Sequence, residues 1–361
     1  MKTITWITPD YFLQVDLPIL FQLKKYYQIK WIVYAQPNSD KEKTAKEYAQ
    51  KHNIDINFFH IRGHRYSPLS YSQYCKQMQI LKEYNSDIYY FNIIGFPYLL
   101  FAIKKYIPHN KIIMTMHHGK IHKGMQLRYL YKYYLRYLGK QDFNFQYFSE
   151  SQAKYFNGEK EKCHVIPLAL NDFGHSDKVP SKDVITFLSF GHIIETKNIG
   201  LLIQAAEEVK KYCNLPFKVK IVGHCRNWEP YQQLIKHPDI FDLQIKSIPD
   251  SDIPDLFATA HYLVLPYKSV TQSGPLRIAY GYNIPVIASD LEGFKESIIN
   301  NTTGLLFKAN DITSLATLMQ KVIENPQIYD IIKSKQEKYI NDNISEKVII
   351  NKYINMFNCI K

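Results

Sequence analysis

Between His261 and Leu306 the chain orders its residues in a way that could hold an anion. Tyr262–Leu265 and Val286–Ala288 are apolar runs with the length of buried parallel strands. Between them, Thr271, Gln272, Ser273 and Gly274 precede a helix-length segment. Pro275 falls in its first turn, where a missing N–H costs little. Strand, small polar loop, helix start and strand leave free backbone N–H groups and the positive helix end at the carboxyl edge of a sheet. That arrangement suits a phosphate. Most turns of this kind in α/β domains bind nothing, so spacing alone leaves both readings open.

Two other strand ends carry chemistry. Ile185–Phe190 runs into Gly191 and His192, then Lys197, then a helix over Ile199–Lys211. Gly191 permits close backbone approach, and a lysine at a strand's carboxyl end is placed to meet an anion. Upstream, Thr115-Met116-His117-His118-Gly119 closes a strand over Lys111–His117, with His122 beyond. Several histidines suggest a metal, but no Asp, Glu or Cys stands with them and the spacing fits no zinc site. No metal is expected.

The elements that must position these residues alternate. Strands are predicted at residues 2–8, 29–34, 54–59, 88–91, 111–117, 143–149 and 163–167, and helices at 11–27, 41–52, 71–83, 97–106 and 122–140. Such alternation implies parallel sheets wound on both faces. No Gly-x-Gly-x-x-Gly supports a dinucleotide reading. The polar stretch Asn171–Lys182 reads as a linker between a first domain, 1–170, and a second, 183–330. Within the second, Ser251 or Asp252 should cap a short helix. Residues 311–324 and 326–358 read as helical, with 331–361 expected to return to the first domain.

These segments together resemble glycosyltransferase family 4, retaining nucleotide-sugar enzymes of the GT-B fold, an α/β architecture of two Rossmann-like domains facing across a cleft. That family has a Pro-Tyr strand end, Glu-Gly-Phe-Gly, a helix with a second Glu, and Gly-x-Pro-Val-Ile-Ala. Here Pro266-Tyr267 and Pro285–Ala288 match, while Thr271–Gly274 replaces Glu-Gly-Phe-Gly. The two family glutamates fall on Val270 and Ile278, both apolar. The resemblance implies a donor diphosphate held by Gly191, His192, Lys197, Thr271, Gln272, Ser273 and Gly274. Lys197 matches the family lysine. His192 replaces an arginine and lacks its fork of donors. Gly223, His224 and Ile248 fall where the family frames the nucleotide. His117 matches the histidine facing the donor sugar, His118 replaces an Asp, and Glu296 matches a further sugar-side Glu. Lys197 and His117 are thus the groups expected to serve the reaction, with no cofactor beyond the donor.

Charge and composition bear on location. The net charge is +12, and residues 1–175 hold 24 Lys+Arg against 13 Asp+Glu, a surplus of +11. A basic half suits an anionic surface, and without a nucleic-acid motif a membrane is the better partner. Lys123, Arg128, Lys132 and Arg136 stand on a Tyr- and Leu-rich amphipathic segment that suits a membrane interface. The competing reading is a core-facing stripe with its cations in water. No run of apolar residues is long enough to span a bilayer, and the N-terminus reads as a strand rather than a signal peptide. Five scattered cysteines, an odd number, suit a reducing compartment. The expectation is a cytoplasmic enzyme, peripheral on the inner face of the cell membrane, which moves a sugar to a glycan or lipid-linked acceptor in surface polysaccharide synthesis. The alternatives are a GT-B-like binding protein without catalysis and, more remotely, a nucleotide-sugar epimerase.

Overall fold

The computed structural model describes residues 1–65, 67–92, 97–119 and 128–360. The chain divides into two compact units, one of Met1–Ala169 with Glu346–Lys361 and one of Leu170–Ser345.

The first unit is built on β1 (Thr3–Pro9), β2 (Gln28–Tyr34), β3 (Asp55–Phe59), β4 (Ile88–Phe91), β5 (Ile112–Met116), β6 (Asn144–Tyr147) and β7 (Cys163–Val165). They form one parallel sheet in the order β3-β2-β1-β4-β5-β6-β7. Side chains alternate between its faces, as the strand period of two requires. Tyr89 and Phe91 join one apolar cluster, while Ile88 and Tyr90 join the other. Both faces are therefore covered, which is why β4 and β5 are buried along their whole length. The terminal helix Glu346–Asn358 covers the second face with Ile349, Ile350, Tyr353, Met356 and Phe357. The Gln146 amide donates to the Tyr353 hydroxyl at 3.1 Å, which ties that helix to β6.

The second unit repeats the plan with β8 (Ile185–Phe190), β9 (Phe217–Val222), β10 (Phe241–Gln244), β11 (Tyr262–Leu265), β12 (Val286–Ser289) and β13 (Gly304–Phe307). Its parallel order is β10-β9-β8-β11-β12-β13. Tyr262 and Val264 face one core and Leu263 and Leu265 the other. In both units the strand order reverses beside the first strand, and ligands of such sheets bind beyond the carboxyl ends near that reversal.

Several boundaries differ from expectation. Residues 171–182 are no free tether. Leu170 and Phe173 pack on the second core, the Tyr282 hydroxyl donates to the Gly174 carbonyl at 2.9 Å, and Lys178 pairs with Asp255 at 2.6 Å. Polar composition concealed these anchors. The chain rejoins the first unit only at Glu346, so residues 331–345 belong with the second. There the helix Gln327–Tyr339 passes through a π turn, Ile340–Ile344. Neither Ser251 nor Asp252 caps with its side chain; a 3₁₀ turn, Asp250–Asp252, leads into Ile253–Ala258 instead. The first helix is shorter than expected, Leu13–Leu23, after a 3₁₀ turn over Asp10–Phe12.

Candidate functional site

At the ends of β8 and β9, two glycines let backbone meet backbone. Gly191 has φ +99° and Gly223 φ +147°. A Cβ at Gly223 would lie 2.2 Å from the Gly191 carbonyl oxygen. A Cβ at Gly191 would lie 2.8 Å from Lys197 Nζ and 3.7 Å from Pro275 Cγ. Gly191 thus leaves the room that the lysine head occupies. Lys197 ends a 3₁₀ turn, Glu195–Lys197, and Asn198 follows in the left-handed conformation before the helix Ile199–Tyr212. Lys268 secures this turn by donating its N–H to the Thr196 carbonyl at 2.8 Å.

Lys197 Nζ lies 5.8 Å from the Tyr267 ring centroid. Burial alone lowers its pKa to about 8, and no carboxylate among the described residues offsets that loss of hydration. Tyr267 is buried, which raises its pKa to about 12. Among the described residues its hydroxyl has no partner of good geometry, although Ser273 lies close enough to favour the ionised form.

Ser273 caps the helix Gly274–Gly281, with its hydroxyl accepting the Leu276 N–H at 3.3 Å. That leaves other first-turn N–H groups without an intrahelical acceptor. Gly274 is exposed, and a Cβ there would meet nothing within 4 Å. The buried Gln272 amide nitrogen has no partner among the described residues. A cation and a helix N-terminus therefore share this corner, with the unpartnered Gln272 amide one residue before the cap, and an anion would suit the first two. Thr271 is half-buried beside them.

His192 and His224 are exposed, with ring centroids 5.8 Å apart at 78°. Ile248 is half-buried against the adjoining core. Ile278 is buried and Val270 packs on the same cluster, so both serve as core. Sequence reading passed over Arg277, which is buried on that helix. Desolvation lowers its pKa, while Tyr280, Tyr339 and the half-buried Glu296 favour its charge. A lone arginine within an apolar helical stripe carried no signal in the sequence.

In the first unit, His117 at the end of β5 is 5 % exposed. Its ring stacks on Phe12 at 3.8 Å and meets Phe148 at 4.7 Å. Burial lowers its pKa to about 3, helped by the neighbouring His118, so it is neutral at physiological pH. Its Nε2 lies 2.7 Å from Asn92 Oδ1. His118 is half-buried.

The basic helix is described over Arg128–Gly139. Leu135 and Leu138 face the core, whereas Lys132, Arg136, Tyr129, Tyr133 and Tyr137 are exposed. Lys123 lies outside the described residues, as does the side chain of Arg128. Lys104 of the helix Pro97–Tyr106 donates to the Tyr137 hydroxyl at 2.6 Å, and Phe101 of that helix is 48 % exposed. Among the described residues no helix is long and apolar enough to cross a membrane.

Residues 173–343 match the family model of glycosyl transferases group 1. That range is nearly all of the second unit, which therefore carries a glycosyltransferase group 1 domain. The chain is 28% identical over 169 residues to an uncharacterized glycosyltransferase of Haemophilus influenzae, covering 45% of this chain and 46% of that protein. The alignment thus spans about half of the relative's length. A glycosyltransferase from Rickettsia africae superposes over 99% of this chain and 98% of its own, with TM-score 0.78 and 17% identity. HepE of Anabaena, solved with UDP and glucose, superposes over 99% of this chain and 100% of its own, with TM-score 0.77 and 15% identity. The fold is GT-B, two Rossmann-like units on parallel sheets of seven and six strands.

Proposed function

We propose that the protein is a retaining glycosyltransferase of family 4 character, which moves a sugar from a nucleoside diphosphate donor to a glycan acceptor. The observation that carries this reading is Lys197, a half-buried cation without a carboxylate partner among the described residues, beside Gly191 and the Ser273–Gly274 helix start. A leaving diphosphate gains charge as the glycosidic bond breaks, and a preorganised cation with oriented N–H groups stabilises that charge. Thr271–Gly274 takes the place of the family's Glu-Gly-Phe-Gly, with Gln272 as an additional donor. His192 and His224 flank the phosphates, Gly223 and Ile248 border the nucleotide, and His117, His118 and Glu296 serve the sugar. HepE, solved with UDP and glucose, supports a nucleotide sugar as the donor.

The exposed cations and aromatic rings of the first unit support docking on anionic lipid at the inner face of the cell membrane, with a lipid-linked acceptor in surface polysaccharide synthesis. A second reading, binding without catalysis, draws on the apolar Val270 and Ile278. Thermal-shift screening of UDP-, GDP-, ADP- and TDP-sugars, followed by labelled transfer to lipid-linked acceptors, separates the two. Transfer supports the enzyme, and binding without turnover supports the second reading. A protein stabilised by none of the four donors would sink the nucleotide-sugar assignment.

A further inference from the structure

Behind His117 lies a polar chain closed at its far end. Trp31 Nε1, which can only donate, gives its hydrogen to Thr8 Oγ1 at 2.9 Å. Thr8 in turn donates to Asp16 Oδ2 at 2.5 Å. The other Asp16 oxygen accepts from Asn92 Nδ2 at 2.8 Å. Thr8, Asp16, Asn92 and Thr115 are fully buried, so water completes none of these bonds. Asp16 sits on the helix Leu13–Leu23, and Asn92 follows β4 with its own N–H bonded to the Ile7 carbonyl at 2.8 Å.

Burial pushes the Asp16 carboxyl up to about 6, so at pH 7 it is mostly ionised and only accepts; Asn92 must then turn its NH₂ toward Asp16 and its oxygen the other way. That oxygen takes the Thr115 hydroxyl at 2.7 Å and stands 2.7 Å from His117 Nε2. His117 must then carry its proton on Nε2. Burial opposes a second proton. Nδ1 is left as a bare lone pair with no hydrogen-bond partner among the described residues, and Phe12 and Phe148 hold the ring plane.

We propose that Asp16 and Asn92 are positioning residues, which hold His117 as its neutral Nε2–H tautomer so that Nδ1 accepts a hydrogen bond from a ligand hydroxyl. His117 then selects a ligand that donates there and gives no support to one that only accepts. The proposal rests on the reading of His117 as a sugar-side residue, but the tautomer itself does not depend on the donor.

The test is ¹⁵N NMR of histidine-labelled protein, with His117→Gln used to assign the ring. At pH 7 the wild type should show a single neutral ring protonated at Nε2. Asn92→Ala should raise the minor tautomer about fivefold or more, the weight of one buried hydrogen bond. Asp16→Asn, which keeps the shape and frees Asn92 to turn over, should do the same. A wild-type ring protonated at Nδ1, or at both nitrogens, overturns the proposal. So does an unchanged tautomer ratio in both folded variants. If neither variant folds, the wild-type spectrum alone decides. Failure of the protein to bind any nucleotide sugar would count against the proposed function and leave this result standing.

Discussion

Two strand ends, on sheets of the same order, prepare for ligands in opposite ways. Behind His117 polar groups are matched: Asp16, Asn92, Thr115 and Thr8 bond one another and hold Nε2 of the neutral imidazole, which leaves its Nδ1 open among the described residues. Around Lys197 they are not: among the described residues the cation has no acid, the Gln272 amide nitrogen no acceptor and the Tyr267 hydroxyl no partner of good geometry. A matched network fixes geometry even around a buried charge, although burial still pushes the Asp16 carboxyl up to about 6. An unmatched one costs stability until an anion arrives, and that cost becomes binding energy. The contrast extends to the surface, since the basic surplus lies in the first 175 residues.

The largest expected effect tests the surface. Each cation close to an anionic membrane contributes about 1 kcal/mol. Neutralising Lys123, Arg128, Lys132 and Arg136 together should therefore lower affinity for anionic vesicles by up to about three orders of magnitude. High salt should have the same direction of effect on the wild type. Sedimentation with anionic and neutral vesicles measures this, and equal binding to both lipids would end the electrostatic account.

Next in size is Lys197→Ala. Turnover of the cognate donor should fall by roughly two orders of magnitude or more. Stability should move the other way. The folded-state pKa lies below the unfolded one, so the folded protein resists charging this lysine, and the cost is present at pH 7 and relieved only as pH rises through about 8 to 10.5. Removing it should raise stability by on the order of 1 kcal/mol, given its partial exposure. A clear drop in Tm at pH 7 would place Lys197 in a structural pair instead.

The smallest effect is that of Gly274→Val. A Cβ there meets no protein atom within 4 Å, so Tm should change little. Donor affinity should weaken about tenfold, as for loss of one charge-assisted hydrogen bond from the phosphate. Unaltered affinity by calorimetry would move the phosphate away from this turn.

What the sequence disclosed follows the same division. The alternation of strands and helices, and the double winding, were legible because apolar periods of two and 3.6 govern both sheets. Lys197, Ser273 and His117 were legible because polar residues at strand ends stand out from apolar runs. Asp16, Asn92 and Arg277 were not. Each sits among core residues, where a polar letter in one sequence looks like noise and only three-dimensional partners give it meaning. The stretch 171–182 failed for the converse reason, since its polar composition conceals the few contacts, among them Phe173 and Gly174, that bind it to the second core. The tyrosine-rich helix was ambiguous because one amphipathic pattern fits both a core and an interface; exposure of Tyr129, Tyr133 and Tyr137 was decided by packing.

The lowered basicity of Lys197 also makes the corner a proton exchanger. Near pH 8 about half of the free molecules would lack its proton. A diphosphate arriving there favours the ammonium, so complex formation near pH 8 would draw a proton to Lys197 from the buffer. The heat of binding measured near pH 8 would therefore differ between buffers of high and low ionisation enthalpy, and the part of that difference lost in Lys197→Ala would count the protons moved by this side chain.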